Sequence, residues 1–521
     1  MQAQDAAAPT VAVCPVPHAP NQPLPPGHPE TNAARPSSLK PPSGEHCIFF
    51  RAADDAEPGA EADGEKIKQP LGPTPTVSPA FAAHPDSLLV LSSRSSELAR
   101  LQAEQVADTL SSRYGSNSPA FTGGEHDTHL RDLLAQVTPE GSEPKPMSFP
   151  IQTMSTAGDV NLRSPLYVIG GEGRAIWTKE LEVALREGVV DAIVHCAKDV
   201  PTTLPDGLEL AAILEREDPR DALVVKADLP YKALAEMPPG SVIGTSSVRR
   251  VALLRRVYPH LVFSDVRGNI NTRLAKLDAE GGPYTALVLA AAGLKRLSLE
   301  KRITAYLTAP EMLYSVGQGS LAIEVRTPPP GADPRTNRDA RVHSIISSLG
   351  NWRATLRCAA ERALLRRMEG GCSIPLGVET EFCDHGKVER QKNEHLCVPA
   401  ELDGSMYSRT LVCDPNVPCE GRELTLRAVI VSLDGTQRCE HTETRRVNSI
   451  AEAVALGCLV ADKLEHEQGA RAILDEVEHH RRMAEEADNR RRALREGASH
   501  EKEIDRRGLP RDDGQPKAWE V

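Results

Sequence analysis

Between Leu88 and Gly293 the chain alternates short apolar runs with amphipathic stretches, and this alternation narrows the fold more than any other feature. LLVLSS precedes ELARLQAEQVADTL, KELEVALREG leads into DAIVH, and SVIGT precedes VRRVALLRRVY. LVFSDV then precedes INTRLAKLDAEGG, and ALVLAAAG follows. Strands of this length with helical periods between them build mostly parallel sheets covered by helices on both faces. Ligands of such sheets bind where loops leave the carboxyl ends of strands. The last segment differs. LTLRAVIVSLDG reads as a hairpin strand and SIAEAVALGCLVADKLEHEQ as a helix, together a smaller α+β domain. The expected fold class is α/β with that α+β domain at the C-terminal side.

Polar and proline-rich segments divide the chain. Residues 1–85 hold 17 of the 42 prolines and too few large apolar residues to offset ordering entropy, so this stretch reads as a disordered extension. Residues 113–147 and 383–424 read as inserted loops, and 479–521 as a charged tail in the form of a solvated helix or a disordered end. No apolar run approaches the roughly 18 residues that span a bilayer. The first basic residue is Arg35, so neither a secretory signal nor an Arg-rich presequence is expected. Eleven irregularly spaced cysteines without an export signal read as reduced thiols of a cytoplasmic protein.

Charge is unevenly spread. The whole chain carries −12, yet Gly244 to Lys276 holds seven Lys or Arg against one acid, Asp265. Arg249 and Arg250 open the helix after SVIGTSS, where unpaired backbone N–H groups favour an anion. Ser246 and Ser247 can cap that helix or donate to a ligand. Arg267 follows a strand in RGN, with Arg273 six residues on; Arg296 and Arg94 each follow a strand as well. A single arginine is usually just solvated, and Arg255 and Arg256 read that way. Six at successive strand ends point to bidentate binding of carboxylates or phosphates, hence to a small polyanion. With aromatic residues at 3% and an acidic balance, an extended nucleic-acid track is not expected.

Two further stretches bear on chemistry. HCAKDVP (His195 to Pro201) places Asp199 beside Lys198 in a strand-end loop. A carboxylate there either forms a structural salt bridge or steadies a developing cation and passes a proton to a leaving amine. EGGCSIPLG (Glu369 to Gly377) holds Cys372 in a tight turn, which suits either packing or covalent attachment.

Taken together, SSRSSELARLQ, KELEVAL, IVHCAKDVPTTLPDGL, EREDPRDALV, IGTSSVRR, VRGNINTRLAKLD, AGLKRL, VGQGSLAIEVR and EGGCSIPLG resemble the porphobilinogen deaminase (hydroxymethylbilane synthase) family, in family order. The resemblance implies three domains. The first two are doubly wound halves like those of bacterial periplasmic binding proteins, placed at 86–219 with 318–340 and at 220–312. The third, at 350–478, carries the cofactor. The implied activity is that of a transferase of haem and porphyrin biosynthesis. It condenses four porphobilinogen molecules head to tail into hydroxymethylbilane, releasing ammonia, on a dipyrromethane primer. Cys372 matches the thioether anchor of that cofactor, and Lys198, Ser247, Arg249, Arg250 and Arg273 match its other contacts. Arg94, Ser96, Arg267, Arg296 and Arg174 match substrate contacts, and Asp199 the catalytic aspartate. No metal is implied. The partners implied are the small-molecule substrate alone, in a monomer without membrane or nucleic acid, with product passing to uroporphyrinogen-III synthase. Cys196 stands where the family usually has serine and Arg174 where it usually has lysine; the extension, insertions and tail have no counterpart in compact members.

Three rival readings remain. A non-catalytic anion-binding protein would need the arginines but neither Asp199 nor Cys372. A thiol enzyme would need a base beside Cys372, and no histidine stands out for it. Zinc at Cys383, His385, His395, Cys397, Cys413 and Cys419 lacks any CxxC pair.

Overall fold

The computed structural model describes residues 86–122, 128–156, 177–368, 374–384 and 422–504. In chain order the elements begin with β1 (Leu91–Arg94), α1 (Glu97–Tyr114), α2 (Pro119–Thr122), α3 (Thr128–Val137), β2 (Ile151–Met154), α4 (Lys179–Arg186), β3 (Ala192–Cys196) and β4 (Leu208–Ile213). There follow β5 (Asp221–Val225), β6 (Val242–Gly244), α5 (Val248–Val257), β7 (Val262–Ser264), α6 (Ile270–Asp278), β8 (Ala286–Ala290), α7 (Ala291–Arg296) and β9 (Ala305–Leu307). The remainder comprises β10 (Leu321–Arg326), α8 (Arg338–Ser347), α9 (Trp352–Arg367), β11 (Leu376–Asp384), β12 (Arg422–Val431), β13 (Arg438–Arg446), α10 (Ile450–His466) and α11 (Ala470–Ile504).

Two five-stranded sheets share one plan. The first runs β2-β1-β3-β10-β4 and the second β7-β6-β8-β5-β9. In each the first three strands are parallel, and the fourth, β10 or β5, is antiparallel to both neighbours. Strands such as β4 (LELAAI) and β5 (DALVV) are near-continuous apolar runs, buried along their whole length. Each antiparallel strand belongs to a crossing between halves. Residues 214–220 carry the chain from β4 to β5, and 308–320 carry it back from β9 to β10. The crossings lie against each other: Leu214 N–H donates to Leu321 O, and Glu217 N–H to Gly319 O. Gly319 has φ +93°, and a Cβ there would collide with the Glu217 carbonyl, so only glycine lets the two segments meet.

The third domain grips these crossings. Arg216 donates to both oxygens of Glu361 on α9 (2.5 and 3.1 Å), and Gly317 N–H donates to Glu361 Oε2 at 2.8 Å. Thr380 of β11 donates to the same carboxylate at 2.6 Å. Burial opposes the charge on Arg216, but Glu361 outweighs it and pushes that guanidinium further up. Behind this pair stands an antiparallel sheet, β11-β12-β13, with α9 and α10 packed on it. Gly457 of α10 sits where any Cβ would strike the Ala360 carbonyl of α9, so the two helices approach closely.

One polar segment departs from expectation, and a second takes one of the two forms expected of it. The stretch 113–147 is not an open loop: α3 inserts Leu130, Leu133, Leu134 and Val137 into the cluster formed by Val106, Leu110 and Ile345. The apolar residues of HLRDLLAQV recur at helical spacing, a signal hidden by the glycines and acids before it. After residue 478 the chain continues as helix α11, whose Ile473, Leu474 and Val477 anchor its start in the third domain. The extension 1–85, most of 383–424 with its zinc reading, and 505–521 lie outside the described residues.

Candidate active site

β3 ends at Cys196, and a short turn, Ala197–Asp199, follows it at the carboxyl edge of the first sheet. There the Asp199 carboxylate lies 3.9 Å from Nη1 of Arg94, the residue that ends β1. Arg94 also stacks its guanidinium 4.0 Å over the ring of Trp177. Because β1 and β3 are parallel neighbours, their ends deliver both side chains to one place. Ser96, two residues past β1, caps α1 by accepting from Ala99 N–H at 3.4 Å. Ser247 caps α5 in the same way, accepting from Arg250 N–H at 3.5 Å. Each hydroxyl keeps its own hydrogen for a further acceptor.

The second half supplies most of the cations, and they divide into two sets. Arg249 and Arg250 turn inward to Asp221, which opens β5. Arg249 Nη1 donates to Asp221 Oδ2 at 2.7 Å and to Leu313 O at 2.5 Å. Arg250 donates through Nε and Nη2 to Asp221 Oδ1 (3.1 and 2.7 Å) and through Nη1 to Val288 O at 2.8 Å. All three residues are buried. Burial alone would raise the Asp221 carboxyl, but the two guanidinium groups hold it well below the usual carboxylate range. The sequence therefore presents these arginines at a helix start, and the fold commits their donors to its own interior.

The other set is charged against burial, and Arg273 faces like charges as well. Arg273 is partly buried and donates through Nε to Gly268 O at 2.7 Å. Burial, then the neighbouring charges of Arg250 and Arg267, bring its pKa down to about 10. Burial likewise lowers Arg267 and Arg296. Lys198 is lowered by burial and by Arg250, against an opposing pull from Asp199. Its Nζ reaches Gln318 Oε1 at 3.5 Å, and Gln318 Nε2 donates to Asp221 Oδ1 at 2.9 Å, so Gln318 ties the two sets together. Arg296 Nη2 donates to Gly319 O at 2.7 Å on the returning crossing. Between the halves lies a cavity of about 270 Å³, lined by Ser95 and Ser96 on one side and by Arg267, Gly268, Asn269, Thr272 and Lys276 on the other.

The structure thus gathers Arg94, Ser96, Lys198, Asp199, Arg267, Arg273 and Arg296 at the facing edges of the two sheets. Cys196 stands there too, its thiol raised by burial and by Asp199, 3.3 Å from Gln102. Arg174 and Cys372 lie outside the described residues, although α9 and β11, which flank Cys372 in the chain, are described. Sequence reasoning passed over Asp221, Gln318 and Trp177. Asp221 and Gln318 fall within quoted blocks, EREDPRDALV and VGQGSL, but nothing local marks a partner 28 or 97 residues away.

Comparison with known proteins fits this arrangement. Residues 89–330 match the family model described as porphobilinogen deaminase, dipyromethane cofactor binding domain, and 355–389 match that of the porphobilinogen deaminase C-terminal domain. A porphobilinogen deaminase of Yarrowia lipolytica is 44% identical over 354 residues, covering 67% of this chain and 88% of that protein. The porphobilinogen deaminase of Synechococcus elongatus is also 44% identical, over 329 residues, covering 63% and 86%. Among solved structures, the methionine-binding protein MetQ covers 53% of this chain and 96% of its own at 12% identity and a TM-score of 0.29, an overlap that adds nothing to the topology above. With shared sequence running through both sheets and into the third domain, this chain belongs to the porphobilinogen deaminase family.

Proposed function

We propose that the chain carries out the porphobilinogen deaminase reaction with the residues gathered between its two halves. Four porphobilinogen molecules are joined head to tail, ammonia leaves at each addition, and hydroxymethylbilane is released. The observation that carries this reading is Asp199, held 3.9 Å from Arg94 on the rim of a cation set whose charge the fold leaves costly.

The family domain matched here binds dipyrromethane, and the residues suit that group. Its two pyrroles bear an acetate and a propionate each. Arg273, brought down to about 10 by burial and like charges, is a cation that anions of this kind would relieve. In this reading Cys372 ties the group by a thioether, and Lys198, Ser247, Arg249, Arg250 and Arg273 hold it. Arg249 and Arg250 act chiefly as charge, because Asp221 and backbone carbonyls already take their hydrogens. When bound, the cofactor supplies the pyrrole carbon to which the first unit is joined.

The chain's own residues do the rest. Arg94, Ser96, Arg174, Arg267 and Arg296 take the carboxylates of the incoming porphobilinogen and fix its aminomethyl end toward Asp199. As the carbon–nitrogen bond of the protonated aminomethyl group breaks, its electron pair leaves with neutral ammonia and positive charge spreads over the methylene-pyrrolenine. A carboxylate already in place stabilises that charge without reorganising at the moment of reaction. The contact with Arg94 and the stack on Trp177 keep both partners oriented.

In the same reading the protein works as a cytoplasmic monomer and hands its product to uroporphyrinogen-III synthase. Among the described residues no helix is long and apolar enough to cross a membrane.

The test is the intact mass of the purified chain and of its Cys372→Ser variant, before and after porphobilinogen. A dipyrromethane on the Cys372 peptide, absent from the variant, together with further pyrrole units after substrate, is the expected result. A Cys372 that stays unmodified even after porphobilinogen and hydroxymethylbilane are supplied removes the deaminase reading and leaves an anion-binding protein.

A further inference from the structure

The cavity between the halves extends past the residues assigned to cofactor and substrate. Beyond Ser96 and Arg267 its wall holds Asn269, Thr272 and Lys276 from the start and outer face of α6. Thr272 and Lys276 are four residues apart, so they stand on one face of that helix. Arg273, one position round, carries its charge among Arg250, Arg267 and Asp199 instead. The helix therefore splits its cations: Arg273 serves the inner cluster and exposed Lys276 the outer cavity, with Arg267 between them. Lys276 Nζ donates to Arg267 O at 3.0 Å, which uses one of three ammonium hydrogens. Asn269 occupies the N-cap position of α6 without a side-chain capping bond. The carboxylate next to Ser96, that of Glu97, accepts from Asn271 Nδ2 at 2.6 Å and is thereby held by α6 itself.

We propose that this cavity is an outer subsite for a pyrrole unit of the elongating chain, with Lys276 and Thr272 binding its acetate and propionate, so that these residues govern later additions and not the first. The proposal rests on the function given above. Every addition brings two more carboxylates to a chain whose earlier units engage the inner cations, and the inner set does not grow with it. About 270 Å³ is on the scale of one substituted pyrrole rather than of an oligomer. A solvated lysine suits a unit that must leave again, since an exposed ammonium–carboxylate contact is weak enough to break at each step.

The experiment is a porphobilinogen pulse on the full-length holo-protein, quenched at intervals and read as a ladder of intact masses. Lys276→Met should take up its first pyrrole unit at the wild-type rate and add later units roughly fivefold more slowly, so that partly extended species accumulate. Thr272→Val, which keeps the shape that packs beneath Gly268, should shift the ladder the same way by less, and Lys276→Arg should restore it. An unchanged ladder in Lys276→Met overturns the proposal. So does equal slowing of every addition, because then Lys276 merely props the Arg267 carbonyl. A wild-type protein that takes up no pyrrole unit fails the proposed function itself and this subsite with it.

Discussion

Two arginine groups of the second half meet different fates. Arg249 and Arg250 are buried around Asp221 and backbone carbonyls, which take their hydrogens, although burial still lowers Arg249. Arg267, Arg273 and Arg296 lie where burial works against their charge and, for Arg273, the next largest influences are themselves cations. The difference lies in whether the topology brings a carboxylate from a distant strand. β5 carries Asp221 to the start of α5, and no such residue dominates at Arg273. A paired arginine holds the fold together; one held among like charges stores a preference for an anion.

The comparison can be broken most severely at its paired end. Asp221→Asn leaves two buried guanidinium groups without their anion and should cost about 3–5 kcal/mol, read as a fall in the denaturant midpoint. Equal stability of the variant would mean that Asp221 is not the keystone of the first group. Glu361→Gln, which uncouples Arg216, belongs to the same class and should cost nearly as much.

Arg273→Met probes the other end. Loss of a charge the fold disfavours should leave stability unchanged or slightly higher, while turnover drops on the order of a hundredfold. A melting temperature that falls with activity would show that Arg273 is structural after all. Its sign in alkali follows from the same shift. The folded pKa, about 10, is below the usual arginine value, so its charge costs stability at neutral pH and that cost fades as pH rises past 10.

Acid titration sharpens the contrast by a smaller amount. Asp221 and Glu361 both have folded pKa values held below the ordinary carboxylate value by their arginines, despite burial. Their stabilisation is complete above pH about 4 and is lost as pH falls through the folded values. Urea unfolding between pH 6 and 3 should show this slope in the wild type and a reduced one in Asp221→Asn. The smallest effect is expected from Cys196→Ser. A hydroxyl in place of a thiol 3.3 Å from Gln102 should alter turnover by no more than about threefold, measured as kcat and KM separately.

Much of the fold was legible from the alternation of strands and helices, because apolar runs such as DAIVH and ALVLA admit few other readings. What stayed hidden depends on long separations. The antiparallel direction of β5 and β10 leaves no local mark, although the resemblance places 318–340 with the first half. The burial of α3 was masked by the polar residues around it. For the site, strand-end position indicated where arginines gather, but not which would be neutralised. That outcome rests on Asp221 and Gln318, contacts 28 and 97 residues apart in the chain. Cys372 and Arg174 remain readings of the sequence, outside the described residues.

The stack of Arg94 on Trp177 has an optical consequence. The chain has three tryptophans; Trp352 is buried in the third domain and Trp519 falls in the last residues of the sequence. Trp177 alone of the described pair has a guanidinium 4.0 Å from its ring that also reaches the Asp199 carboxylate. Any ligand that draws Arg94 toward its own carboxylate changes the field across that indole. Under the function proposed above, emission from Trp177 should report substrate arrival without a label, ahead of the release of ammonia.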